Sequence, residues 1–372
     1  MNSLDPVSER ALKLNSAFNF PPDARRKILK EFGNSLWDKP AETWSEVSGL
    51  SYASADKLKQ EAFSFDAPRE FERVQSLGAR VLFDWEKSYP EILKTLLHAP
   101  LAIYVMGEMS ETNSLAIVGT RTPTSYGRRM AARFSREGVS SGLTIVSGLA
   151  RGIDTEAHRA AVENAGKTWA VLGSGFLNLY PAENKKLSDQ IVENGGCLIS
   201  EFPLETKPWP ACFPMRNRII SGLSWGVMVV EGKEKSGSLI TARIAAEQGR
   251  AVFAVPGPID SPLSEAPHLL IAQGAKLVSH FNDVLEDLPP SCFKEEMKPS
   301  EQVFFAPEFP RALSLTKRKI LQFIGSQVLG LEEIGVGCGL DFPSLSSDLF
   351  ELEMDGLIIS EPGQRYAIKK RN

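Results

Sequence analysis

Cysteine is scarce in this chain. Only Cys197, Cys212, Cys292 and Cys338 occur in 372 residues, far apart and with no CxxC pair. That spacing offers neither a zinc site nor a disulfide framework, and reduced thiols in a cytoplasmic protein are the simple reading. Histidine is as rare: His98, His158, His268 and His280 form no HExxH or HxH arrangement, which removes the metal-hydrolase signatures. No serine-nucleophile elbow is read at a strand-to-helix turn. Basic charge is not in excess either. Lys and Arg total 42 against 46 Asp and Glu, a net charge of −4, so a polyanion site has to be local rather than a whole-surface field. Long apolar runs are missing. The longest are of strand length, too short to span a membrane, and the opening MNSLDPVSER lacks the apolar core of a secretory signal.

What is present is ordinary for a soluble globular protein: 42 % hydrophobic and 24 % charged residues, over a length that suggests two or three domains. Residues 1–71 read as a helical module, with amphipathic pieces at Ala24–Phe32 and Ala55–Phe63 separated by turn signals at Pro21-Pro22 and Gly33-Asn34. Residues 72–113 read as a connector that joins the core, with strand-like Val81–Phe83 and Ile103–Val105. From 114 to 288, apolar runs at Leu115–Gly119, Thr144–Gly148, Thr168–Gly173, Cys197–Phe202, Trp225–Gly232 and Ala251–Gly257 alternate with helical segments. Tyr126–Glu137, Thr155–Asn164 and Leu239–Gln248 are the clearest of these. Near-continuous apolar strands are covered on both faces, and the alternation predicts an α/β, Rossmann-like, doubly wound parallel sheet. Residues 289–312, rich in proline and charge, read as a linker. The remainder, 313–372, offers helices at Leu315–Ile324, Leu331–Gly335 and Ser344–Asp355 and then a hairpin, the order of a winged helix.

In an open parallel sheet, ligands bind beyond the carboxyl ends of the strands. Here those ends are built from small residues. Gly119-Thr120-Arg121 follows the first run, Ser147-Gly148 the second and Gly173-Ser174-Gly175 the third, while Ser236-Gly237-Ser238, with Thr241 close behind, lies beyond the fifth. Small residues let backbone amides approach a ligand, and a helix N-terminus adds free N–H groups and a favourable dipole. The edge is therefore a candidate anion-binding rim. It carries no nucleotide motif: Gly173–Asn178 lacks the third glycine of GxGxxG, and no GxxxxGK[ST] occurs, so no cofactor is expected. Cations gather near the same edge. Arg121 and Arg151 sit in strand-end loops, Lys185-Lys186 opens a helix after Tyr180-Pro181, and Arg216-Asn217-Arg218 is expected to open another. Such residues neutralise phosphates, and Phe213 or Trp209 can stack on a base. The plainer alternatives are a solvated helix face for Lys185-Lys186, ion pairs with Glu201 or Glu231 for Arg216 and Arg218, core packing for the aromatics, and turn geometry for the glycines. Asp154 and His158, at i and i+4, are read as an N-cap aspartate and a structural histidine rather than an acid–base couple.

At these residues the chain becomes recognisable. The segments AIVGTRTPTSYG (116–127), SGLARGIDTEAHRAAV (147–162), AVLGSGFLNLYPAEN (170–184), ISEFPLE (199–205), FPMRNRIISGLS (213–224) and VMVVEGKEKSGSLITARIAAEQGRAVFAVPG (227–257) resemble, in order, the DNA processing protein A family (DprA, also called Smf). The resemblance implies an extended Rossmann fold that binds single-stranded DNA without sequence preference and performs no catalysis. It also implies a homodimer through that domain, and loading of the RecA recombinase onto incoming strands in natural transformation. Arg121 matches the family's phosphate-binding arginine. Ser147-Gly148 and Ser236–Ser238 match turns whose backbone contacts phosphate, and Lys207 is the candidate for a basic residue ahead of the Arg-Asn-Arg motif. Two positions depart from the family pattern: Gly232 stands where alanine is usual, and Ala266-Pro267-His268 replaces a Gly-x-Asn turn. The flanks resemble the family's sterile-alpha-motif-like and winged-helix domains, with LFELEMDGLIISEPGQRYA (349–367) as the best C-terminal match. The candidate recognition helix there carries Asp348, Glu351, Glu353 and Asp355. Acid on that face repels phosphate, so protein contact or a structural role is expected for it. The enzyme alternative, a phosphoribohydrolase-like nucleotide-processing protein, calls for a PGGxGT stretch where only Pro256-Gly257-Pro258 is found. A scaffold without a nucleic-acid role is the other alternative.

Overall fold

The computed structural model describes residues 4–110, 113–289, 314–324, 329–340, 342–355, 357–361 and 365–368. All but the first residue of the expected linker lies outside them. The chain forms two compact units, 1–292 and 293–372.

The first unit begins with helices α1 (Pro6–Ser16), α2 (Pro22–Phe32), α3 (Ala41–Ser48), α4 (Tyr52–Ser64) and α5 (Ala67–Ser76). Their starts follow the local chemistry. The Asp5 carboxylate accepts the Val7 and Ser8 amides at 2.9 and 3.1 Å ahead of Pro6, and Ser51 caps α4. Proline fits the first helical turn, whose amides lack intrahelical partners, and short polar side chains fill that need. Next come β1 (Ala79–Phe83), α6 (Glu91–Lys94), β2 (Ala102–Gly107), β3 (Ser114–Val118), α7 (Ser125–Ser140), β4 (Thr144–Ser147), α8 (Ile153–Glu163), β5 (Thr168–Val171) and α9 (Lys185–Glu193). The unit closes with β6 (Cys197–Ser200), α10 (Cys212–Gly222), β7 (Gly226–Val229), α11 (Gly237–Glu247), β8 (Ala251–Ala254), α12 (Glu265–Ala272), β9 (Lys276–Leu277) and α13 (Phe281–Asp287).

The nine strands form one sheet in the order β1-β2-β6-β5-β4-β3-β7-β8-β9. From β6 to β9 every neighbouring pair is parallel, whereas β1 and β2, the two strands of the expected connector, add an antiparallel edge. The sheet is covered on both sides. Along β5, Trp169 and Val171 enter the core shared with α10, α11 and α12, while Ala170 enters the core shared with α9. Successive residues of a strand face opposite ways, so the apolar run Thr168–Val171 feeds two cores at once. The helical segment packs in this unit too: Leu12 of α1 and Val74 of α5 share a core with Val81 and Tyr104 of β1 and β2.

Every strand expected from Leu115 to Gly257 is present, but each of these six runs extends beyond its strand at the carboxyl end, whereas Val81–Phe83 and Ile103–Val105 fall within the longer β1 and β2. Val230, Glu231 and Gly232 after β7 are buried, as are Leu172 and Gly173 after β5. An apolar run marks burial, and here burial continues into the loops beneath the candidate site. The helix bearing Arg216-Asn217-Arg218 also starts earlier than expected, at Cys212. Pro214 falls in its first turn, where no intrahelical N–H is lost.

The second unit comprises α14 (Leu315–Ile324), β10 (Leu329–Gly330), α15 (Leu331–Cys338), α16 (Phe342–Met354), β11 (Ile358–Glu361) and β12 (Arg365–Ile368). Its strands pair in the order β10-β12-β11, the helices and hairpin expected of a winged helix. On α16, Glu351 pairs with Lys317 and Glu353 accepts from Ser360. Among the described residues of the chain no helix is long and apolar enough to cross a membrane.

Candidate nucleic-acid interface

The strand order turns around at β3. The chain moves from β3 through β4 and β5 to β6 on one side, then returns to place β7 on the other. Such a switch point leaves a crevice at the carboxyl ends of the two strands that flank it. The loops leaving β3 and β7 are stitched together there: Val230 donates its amide to the Val118 carbonyl at 3.1 Å, and Thr120 donates to the Glu231 carbonyl at 2.7 Å. This brings Gly119-Thr120-Arg121 beside Ser236-Gly237-Ser238. The resulting cleft of about 320 Å³ is also lined by Thr241 and by Phe213, Arg216 and Asn217 of α10.

Two guanidinium groups flank one ring in this cleft. Arg121 is exposed and lies 5.3 Å from the centroid of Phe213, and Arg216 lies 6.0 Å from the same ring. Arg216 is buried and donates from Nη1 to the carbonyls of Gly148 and Val171. Burial, opposed by Asp154 and reinforced by Arg121, brings its guanidinium down to about 10, so it remains charged at neutral pH. Among the described residues no carboxylate stands within ion-pairing distance of Arg121. Glu231 is occupied by the amide of Thr124 at 2.9 Å and by its hydroxyl, and Glu201 by Arg25 and Arg218. Facing these cations, α11 begins without a side-chain cap, and among the described residues the Ser236 and Ser238 hydroxyls bond only each other, 2.7 Å apart. An uncapped helix start beside two cations attracts an anion through both dipole and charge.

The turn after β4 is built differently. Ser147 is fully buried and donates its hydroxyl to the Ile117 carbonyl at 2.6 Å. The Gly148 and Ala150 amides both point to Oδ2 of Asp154, at 3.1 and 3.4 Å, and the Leu149 amide points to Nε2 of His158 at 3.4 Å. Nδ1 of His158 lies 2.7 Å from the Thr168 hydroxyl, which donates to the Ile145 carbonyl, so Nδ1 carries the ring proton. Burial, with Arg216 acting in the same direction, brings the imidazole down to about 3. Burial raises the Asp154 carboxyl, against the pull of Arg216 and of the two amides. Asp154 is not the cap of α8, as expected; it sits inside the first turn, and Gly152 occupies the cap position without a side-chain bond.

Residues 80–289 match the DNA recombination-mediator protein A family. The chain belongs to that family. Residues 306–364 match the DprA winged helix domain. Protein Smf of Escherichia coli K12 is 43 % identical over 284 residues, 76 % of this chain and 75 % of that protein. DNA processing protein DprA of Bacillus subtilis is 45 % identical over 240 residues, 64 % of this chain and 80 % of that one. The X-ray structure of DprA from Streptococcus pneumoniae superposes with a TM-score of 0.66 at 34 % identity, covering 77 % of this chain and 99 % of that one. DprA from Helicobacter pylori, whose structure is described for its single-stranded DNA binding mode, gives 0.51 at 28 % identity over 57 % of this chain and 97 % of that one.

Set against the DprA expectations, the residues divide. Gly119, Thr120, Arg121, Phe213, Arg216, Asn217, Ser236, Gly237, Ser238 and Thr241 meet at one cleft. The turn at Ser147 and Gly148 abuts it, but its amides are turned inward. Gly148 and Gly173 make room for side chains of the site: a Cβ at Gly148 would lie 2.5 Å from Nη1 of Arg216, and one at Gly173 2.8 Å from the Phe213 ring. Arg218 is spent on Glu201 and on the His98 carbonyl. Lys185 pairs with Asp189 on its own helix face, and Arg151 pairs with Glu183. Lys207 and Trp209 are exposed on the loop between β6 and α10. The two departures meet each other. A Cβ at Gly232 would come within 2.7 Å of the Ser236 hydroxyl and 3.2 Å of the Ala266 methyl, and the Ala266 amide donates to the Gly232 carbonyl at 2.9 Å. The Ala266-Pro267-His268 segment opens α12 rather than forming a ligand turn.

Two features escaped the sequence reading. Tyr180 packs 5.8 Å from Phe213, and Arg151 lies 5.8 Å from the Tyr180 ring centroid, so the chain of cation–aromatic and aromatic contacts runs Arg121, Phe213, Tyr180, Arg151. The Tyr180-Pro181 pair reads as a turn marker and nothing more. Lys233 and Lys235 are exposed immediately ahead of Ser236. Their signal was diluted by Glu231 and Glu234 in the same loop.

Proposed function

We propose that the chain is a single-stranded DNA-binding protein that grips the phosphate backbone at the β3–β7 crevice without reading sequence and without catalysis. In this reading it works in the cytoplasm during natural transformation, as a homodimer through the Rossmann-like domain, protecting incoming strands and passing them to the RecA recombinase. The functional map is a sterile-alpha-motif-like region 1–71, a DNA-binding domain 72–288, a linker 289–312 and a winged helix 313–372. The observation that carries the reading is the Arg121 guanidinium over Phe213, without an ion pair among the described residues and facing the uncapped start of α11. Phosphate suits the cation and the amides, and a base suits the ring. The single-stranded DNA binding described for the Helicobacter pylori relative supports it.

The test is Arg121→Ala in the full chain, titrated with labelled single strand, blunt duplex and mononucleotide at two salt concentrations. A charged hydrogen bond contributes about 1.5–3 kcal/mol, so single-strand affinity should fall about ten- to a hundredfold. The salt slope should drop by about one phosphate. Arg121→Lys should recover part of the loss, because a point charge cannot form the fork. The melting temperature should hold, since the side chain is exposed and joins no ion pair among the described residues. Equal affinity for duplex and single strand, unchanged affinity in Arg121→Ala, or nucleotide hydrolysis abolished by a rim substitution would each overturn the reading.

A further inference from the structure

Helix α7 starts immediately after the Arg121 loop, and its cap residue Thr124 is tied to Glu231 beside the crevice. It buries Gly127, Ala131, Phe134, Ser135 and Gly138 against the sheet. Arg129, Arg133 and Arg136 recur at i, i+4 and i+7 on the opposite side, which aligns them in one stripe. Arg129 and Arg136 are exposed. Arg133 is held by Glu137 of the same helix at 2.9 Å, and Arg128, off the stripe, is held by Glu156 of α8 at 3.1 Å. Among the described residues no carboxylate lies within ion-pairing distance of Arg129 or Arg136. Sixteen residues of α7 thus carry four arginines against one glutamate, in a chain whose net charge is −4. Farther from the crevice, the stripe borders a broad hollow of about 620 Å³ against α13, where Ser140, Asn164, His280 and Asn282 add hydrogen-bonding groups.

We infer that α7 is a second phosphate track, which carries the part of a single strand that has left the crevice. The inference rests on the crevice being the primary grip. The helix that bears the stripe begins three residues of loop after Arg121, and its charge suits a polyanion. Its length fits as well. Seven residues of helix rise about 10 Å, room for two or three phosphates at about 3.4 Å per phosphate along a stacked strand. The contact would be blind to sequence, because phosphate contacts position a strand and base contacts specify it.

The double variant Arg129→Ala/Arg136→Ala tests this in the full chain. Its two arginines face away from the core, and alanine keeps the helix. Binding of a short, six-nucleotide thymidylate and of a twenty-nucleotide thymidylate is measured at two salt concentrations. A Lys27→Ala/Lys30→Ala variant on α2 removes the same charge elsewhere. The expected result is a loss of about tenfold for the long strand, a salt slope lowered by about 1.4 for two phosphates at about 0.7 each, and six-nucleotide affinity within a factor of about two of the parent. The lysine variant should match the parent on both strands. Unchanged long-strand affinity, an equal loss on both strands, or the same loss in the lysine variant would overturn the track. Failure of the primary grip reads out separately, as six-nucleotide binding that survives Arg121→Ala.

Discussion

The turn at Ser147-Gly148 and the turn at Ser236–Ser238 leave parallel strands of one sheet at the same edge, and both are made of serine and glycine. In the first, the hydroxyl goes to a neighbouring strand and the Gly148, Leu149 and Ala150 amides go to Asp154 and His158. Asn184 closes it from outside by donating to the Leu149 carbonyl at 2.8 Å. Leu149 itself holds a left-handed φ of 55°, a conformation that costs a leucine about 1–2 kcal/mol and persists because its surroundings fix it. In the second turn, the two hydroxyls bond each other and the helix start stays uncapped. A closed turn is architecture, and an open one leaves its amides available to a ligand. Composition does not separate them; the presence of an inward acceptor does.

If Arg216 belongs to the closed side of this contrast, its removal should cost stability first. Arg216→Ala leaves the Gly148 and Val171 carbonyls without their donor and Asp154 without its nearby cation. Losing one partner of a buried charged network costs about 3 kcal/mol, which should lower the melting temperature by about 6 °C or more. An unchanged melting temperature with binding alone lost would move Arg216 to the open side.

The buried histidine sharpens the contrast through pH. His158 ionises at about 3 in the folded chain and near 6.5 when unfolded. Between those values the unfolded chain binds the extra proton. The stability contributed by the neutral imidazole is therefore complete above pH 6.5 and is lost as pH falls toward 3, by about 1.4 kcal/mol per unit. Asp154, raised by burial, works in the opposite sense but is common to both proteins in the comparison. Urea unfolding at pH 6.5 and 5 should therefore show His158→Gln losing about 2 kcal/mol less than the parent over that interval. Parallel losses would refute a neutral buried imidazole.

The smallest effect is expected at the open turn. Ser236 is extended, at φ −79° and ψ 151°, as a residue before proline prefers. A Cβ at Gly237 meets nothing within 4 Å. Gly237→Pro therefore deletes one amide donor while keeping the first helical turn. Single-strand affinity should drop about tenfold, or about 1.4 kcal/mol, at an unchanged melting temperature. Retained affinity would show that the helix start does not touch the ligand.

Much of the fold was legible because buried parallel strands announce themselves as apolar runs, as Leu115–Val118 and Val227–Val229 do. The ends of those strands were not, because Leu172 and Val230 are as buried outside the ladder as inside it. That Arg121 and the Ser236–Ser238 turn share one cleft was legible from position alone, at the ends of strands that a parallel sheet aligns. The difference between Arg216 and Arg121 was beyond reach, since nothing along the chain shows that Gly148 and Val171 offer carbonyls to one and not to the other. Tyr180 was missed for a related reason: its partners Phe213 and Arg151 are distant in sequence and meet only when α10 is laid across the strand ends.

Glu201 divides its carboxylate between two parts of the chain. One oxygen faces Arg25 of α2 at 3.3 Å, the other takes Arg218 of α10, and Asn15 of α1 donates to its backbone carbonyl at 3.0 Å. Both the Arg25 and Glu201 side chains are wholly out of reach of solvent, and an ion so placed is tolerable only while its counter-ions remain. The helical region is therefore no transplantable appendage. A chimera that grafted a foreign N-terminal module onto this sheet would leave one buried oxygen of Glu201 without its counter-ion, with Arg218 of α10 as the partner that remains. Inheritance at this end of the chain has to be joint, with α1 and α2 passing together with the strand-end glutamate and the arginine helix that they fit.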